Sequence, residues 1–236
     1  MALPYLRDLL LNKQKIGLYF EPKPGIKRDF KLGRTFKFTN IQDAVDIYKQ
    51  YCRDRFRNTS RECGLKCCVF GVNEFVDHKT SDFVYAVPNG HQQRMFDRAF
   101  DDLNAAQIAI DNAIAAAGKQ ALPNYFDGPG GLYDFVENVI GKMKNIGPLT
   151  VYDSAIRIGQ NLSLVVEPKR FVYMPSFNGP LDGAKKFFAL IGKPVPNLLK
   201  NPNRFDVSHF SLLTSPPYSL TPLEIEDMLC VFHNHF

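Results

Sequence analysis

The sequence predicts a mainly α-helical protein with a few short strands, arranged as two lobes with a cleft between them. Three observations carry this. Apolar residues recur every three or four positions, most regularly between about 91 and 117. Strand-like alternation is confined to a few short runs. A glycine- and proline-rich loop, Asn124 to Gly131, interrupts the helical pattern near the middle of the 236 residues. That loop sets the expected division into a mixed, mostly helical lobe at 1–123 and a second lobe at 124–236. The length suits one large domain or two small ones.

Taken in order, residues 3–12 read as a short helix, and 15–20 as a strand or the end of that helix. A basic segment broken by Pro22, Pro24, Gly25 and Gly33 follows, ending in alternation from Arg34 to Phe38. Thr39 or Asn40 is placed to cap a helix over about 41–57, with Ala44, Val45, Ile47, Tyr48 and Tyr51 on its apolar side. Residues 64–90 stay ambiguous between helix and strands, up to the break at Pro88-Asn89-Gly90. Between 91 and 117, Met95, Phe96, Ala99, Phe100, Leu103, Ala106, Ile110 and Ile114 form one apolar stripe, so one face is expected to be buried. Helices at 132–144 and 151–161 come next, then strand-like content over 162–174 and a helix at about 183–192. Residues 193–220, with Pro194, Pro196, Pro202, Pro216 and Pro217, read as an extended strap. The last helix starts at "TPLE": Thr221 accepts from the backbone at Glu224, Glu224 reaches back, and Pro222 fits the first turn.

The net charge is +5. The excess lies toward the start, where residues 1–90 carry 16 Lys+Arg against 10 Asp+Glu. A mildly basic region suits a polyanionic partner. No apolar run approaches the roughly 20 residues of a membrane helix. The start lacks the features of a signal peptide, so the expectations are a cytoplasmic protein and no membrane partner. Five cysteines, an odd count, do not suggest a disulfide framework.

The stretch most informative about function is "VIGKMKNIGPLTVYDSAIRIG", 139–159. Ile140 and Met143 are apolar positions of a first helix, Asn145 closes it, Ile146 fills the corner, and Gly147 and Thr150 lead into a second helix. The closing residue must tolerate a left-handed backbone, which Asn does. Gly147 lets the backbone approach a ligand. The start of the second helix then offers unpaired N–H groups and a positive dipole end to a phosphate oxygen. Gly147, Leu149 and Thr150 are the expected donors, with Lys142 and Lys144 adding charge from the preceding turn.

This pattern resembles the helix-hairpin-helix motif, with Asn145 standing for the usual Gly and Val151 for the usual Ala. The resemblance covers some twenty residues and implies binding to the phosphate backbone of duplex DNA. An α-rich chain with the hairpin in its second half looks most like the DNA glycosylase superfamily, which implies a DNA-repair setting and leaves catalysis open. Bifunctional members of that superfamily place a Lys before the hairpin Thr; this chain has Leu149, so lyase chemistry is not expected. Where members carry a catalytic Asp, this chain offers Glu167. Glu167 and Asp153 are the carboxylate candidates for a glycosylase-like hydrolase. The alternative is a non-catalytic interaction protein that uses the hairpin only as a corner, with Thr150 as helix cap and Asp153 pairing with Arg157.

Other constellations are less pointed. Arg53 and Arg57, within the cluster Arg53, Arg55, Arg57 and Arg61, read either as a solvated face or as a second phosphate-contacting patch. Cys52, Cys63, Cys67 and Cys68 lack a second metal-ligand pair and read as buried thiols, so no metal is expected. His233 and His235 read as an exposed, frayed end, and His78 and His91 stand alone. No nucleotide fingerprint is present, and the expected cofactor is none.

Overall fold

The structure is a computed structural model that describes residues 32–33, 35–55, 108, 112, 115, 123–142, 146–161 and 167–236; at 51–55, 140, 153–154 and 157–161 only the backbone is described. The expectations for 3–12, 15–20, 64–90, Cys63, Cys67, Cys68, His78 and His91 lie outside these residues. The described part is mostly helical, with a two-stranded antiparallel sheet. Among the described residues no helix is long and apolar enough to cross a membrane.

Helix α1 is Ile41–Arg55, α2 is Leu132–Val136 and α3 is Pro148–Asn161. Strand β1, Phe171–Tyr173, is followed by α4, Asp182–Leu190, and β2, Arg204–Asp206. A 3-10 turn, Val207–Phe210, leads to the short α5, Ser211–Thr214, and the chain ends on α6, Pro222–Val231. Two five-residue π-helical turns, Glu137–Gly141 and Phe177–Leu181, follow α2 and precede α4.

The chain divides into two compact units, one holding the described residues of 108–161, the other 32–55 and 167–236. The expected boundary at 123/124 falls inside the first of them. In that unit, Ile108, Asn112 and Ala115 are helical and exposed, and none belongs to the stripe expected to be buried. The loop before α2 is an ordered turn. Gly128 and Gly130 take φ of 94° and 71°, a region that favours glycine. The Gly130 amide donates to Asp134 Oδ2 at 3.0 Å, and Leu132 N donates to Tyr125 O at 2.8 Å. Phe126 is buried, edge-on to Tyr133 of α2 and Tyr152 of α3.

The second unit is built on a phenylalanine-rich core. Phe187 and Phe188 of α4 pack with Phe205 and Phe210, with ring centroids as close as 5.2 Å. Val172 of β1 and Phe205 of β2 point into this core from paired positions of the sheet. Helix α1 presents Ile41, Ala44, Val45 and Tyr48 to it, which is the apolar side expected from spacing. Asn40 caps α1, its Oδ1 accepting from Asp43 N at 2.9 Å. The expected capping box of α6 is present in both directions, at 3.2 Å and 2.8 Å.

Two expectations need correction. Residues 193–198 run without regular structure, as a strap does, but 204–214 then form β2, the 3-10 turn and α5. The C-terminus is not frayed. Phe38 N donates to His235 O at 2.7 Å, and His235 Nδ1 donates to Phe36 O at 3.0 Å. The Phe38 ring also meets Phe232 and Phe236 edge-on, so aromatic packing holds the chain end against residues 36–38.

Candidate nucleic-acid interface

The hairpin lies wholly within the first unit. Helix α2 and its π-helical turn pack against α3. They meet at Gly141, where an added Cβ would lie 3.3 Å from Cγ2 of Val151 and, within the turn itself, 3.0 Å from Cγ of Glu137. The absent side chain makes room for Val151, which fills the motif position usually held by Ala and is 2% exposed. The chain leaves the turn at Lys142, whose side chain is exposed. Lys144 and Asn145 lie outside the described residues. Ile146, the expected plug, is half-buried.

The second helix begins at Pro148, three residues before the expected start. Proline suits this position because the first-turn N–H it lacks has no partner inside a helix. An early start makes Thr150 a first-turn residue and not the cap, so the Thr150–Asp153 capping reading does not hold. The first bond of the helix runs from Val151 N to Gly147 O at 3.2 Å. Among the described residues the amides of Gly147 and Leu149 have no acceptor. Gly147 is half-exposed, and an added Cβ would meet nothing within 4 Å among the described residues. The two hairpin glycines thus differ in surroundings, Gly141 close against Val151 and Glu137 and Gly147 uncrowded among the described residues.

Thr150 is 3% exposed and lies with Val151, Tyr152, Ala155 and Ile156 on the buried side of α3, while Leu149 is half-buried. Asp153 is helical, with its side chain outside the described residues. So are the side chain of Arg53, in the last turn of α1, and the whole of Arg57. Glu167 belongs to the second unit, half-buried just before β1 and the buried Pro168.

The second unit carries a basic feature that the reading from sequence missed. Arg170 and Arg204 both place their guanidinium groups over the ring of Phe171, at 5.3 and 4.6 Å from its centroid. Arg204 gets there through the sheet register, which pairs Tyr173 with Arg204 and Phe171 with Asp206 and so sets Arg204 diagonal to Phe171. Asp206 accepts from both N and Oγ of Ser208, at 2.9 and 2.6 Å. These bonds, led by the side-chain one, hold its carboxyl below the usual pKa, with smaller help from His209 and Arg170. The only signal in sequence was the pair of short runs "KRFVY" and "NRFD", and nothing there fixes which residues face each other. Among the described residues no group of three or more His, Cys, Asp or Glu is placed to hold a metal ion.

Compared with known proteins, the chain matches no family model, no curated protein and no solved structure.

Proposed function

We propose that the chain binds duplex DNA through the hairpin, with the start of α3 gripping one backbone phosphate. The supporting observation is the early start of α3 at Pro148 beside an open Gly147, which leaves the Gly147 and Leu149 amides without acceptors among the described residues. A phosphate oxygen supplies the missing acceptor and meets the positive end of a fourteen-residue helix. The exposed Lys142 adds charge from the preceding turn. Thr150 packs inward and steadies the turn.

The test is anisotropy of a labelled duplex. Affinity is expected to fall tenfold or more between about 50 and 200 mM salt. Gly147→Glu is expected to abolish binding while thermal melting stays near wild type, because an added Cβ meets none of the described residues within 4 Å and the new carboxylate occupies the anion position. If wild type fails to bind at low salt, the buried Thr150 and the Gly141–Val151 contact assign the hairpin to structure alone. Abasic-site formation on damaged duplex, lost in Glu167→Gln or Asp153→Asn, separates an enzyme from a binding protein.

A further inference from the structure

We propose that Arg170 and Arg204, stacked on Phe171, form a second phosphate-binding point on the backbone of the same nucleic acid. This rests on the DNA-binding reading above and adds a contact in the second unit that the hairpin does not supply.

The Arg204 guanidinium is held in place before any ligand arrives, and that of Arg170, at an exposed position, lies 5.3 Å from the same ring centroid. Arg204 is fixed by the ring at 4.6 Å, by its Nη1 donating to Pro202 O at 3.1 Å, and by backbone bonds in both directions with Leu199 at 3.0 and 2.9 Å. A guanidinium fixed this way loses little freedom on forming further hydrogen bonds, and its planar fork matches a phosphate. Among the described residues Arg204 pairs with no carboxylate, and its buried Nε has no acceptor. Asp206, two residues along the same strand and on the same face, has one oxygen already occupied by the two Ser208 donors. Exposed Lys169 stands beside Arg170, and exposed His209 follows Ser208.

The charge of the chain leading into β2 favours a polymer over a small anion. Lys186 is paired with Asp182 at 2.6 Å, and between Asp182 and Asp206 the sequence adds Lys185, Lys193, Lys200 and Arg204 and no further acid. Lys185, Lys193 and Lys200 are exposed. Phe171 is only 8% exposed, with arginines over its ring, so the point reads phosphate and not a stacked base.

The test measures duplex DNA affinity of the full chain across a salt series. Arg204→Gln and Arg170→Gln are each expected to weaken binding roughly tenfold at low salt. Each is also expected to reduce the slope of log K against log salt by about 0.9, the loss of one phosphate contact. Arg204→Lys should restore the slope but only part of the affinity, because it returns the charge without the fork. If Arg204→Gln fails to fold, Arg170→Gln, at an exposed position, carries the test alone. Wild-type affinity and slope in both glutamine variants overturn the inference, and loss of binding in Gly147→Glu then leaves the hairpin reading standing. The reverse pattern supports the arginine point and removes the hairpin. A wild-type chain that does not bind duplex DNA overturns both.

Discussion

Asp206 stands where β2 becomes a 3-10 turn, and its carboxylate accepts from both the amide and the hydroxyl of Ser208. The cap satisfies a turn amide that has no partner inside the turn. Removing it in Asp206→Ala is expected to cost about 1 kcal/mol in urea unfolding at neutral pH, the usual loss for such a cap. The sign of the pH dependence follows from the lowered pKa. A depressed carboxylate contributes stability above its unfolded-state pKa and loses it as pH falls through the folded value. The gap between wild type and Asp206→Ala should therefore be full near pH 7 and close progressively below about pH 4. A gap that stays constant from pH 7 to pH 3 rules out the charged cap as its source.

At the scale of elements, helix starts are set by a few atoms, and α6 shows this most simply. Thr221 and Glu224 satisfy each other's backbone amides at 3.2 and 2.8 Å. Thr221→Ala is expected to destabilise the protein by about 1 kcal/mol, and adding Glu224→Ala should cost less than the two single losses combined. Full additivity in that cycle would show that the two bonds act independently. The start of α6 was legible in "TPLE" because every interaction in the box is local. The cap of α1 and its buried Ala44, Val45 and Tyr48 were legible for the same reason, one by short-range bonding and the other by spacing. Helix α2 was not. Its α-helical part ends at Val136 and passes into a π-helical turn, where Gly141 meets Val151 of the next helix, a contact that no local pattern contains. Strand β2 was hidden too, since its polar–apolar–polar alternation spans only three residues, too few to set them apart from a strap. The Arg170–Phe171–Arg204 stack depends on that strand's register and was out of reach until the pairing was known.

At the scale of the whole molecule, the second unit is assembled from two distant parts of the chain. Helix α1 closes a core otherwise made by residues 171–236, and Tyr48 reaches across it to donate to Asp227 Oδ2 at 3.0 Å. Residues 36–38 add hydrogen bonds to the C-terminus, one from the backbone of Phe38 and one from the His235 ring. A single cut at 123/124 therefore separates α1 from the side chains that bury it. Without 32–55, the core loses Phe38, Ile41, Val45 and Tyr48, each worth roughly 1.5–3 kcal/mol of burial. That loss is comparable with the whole net stability of a small domain, about 5–15 kcal/mol. A fragment of 167–236 alone should consequently lack near-ultraviolet circular dichroism from packed aromatic rings. A chain joining 28–55 to 167–236 through a flexible linker should recover it and unfold in one cooperative transition, because the two parts bury the same core whether or not the intervening residues connect them. A cooperative, packed 167–236 would mean that α1 covers the core without being needed to form it.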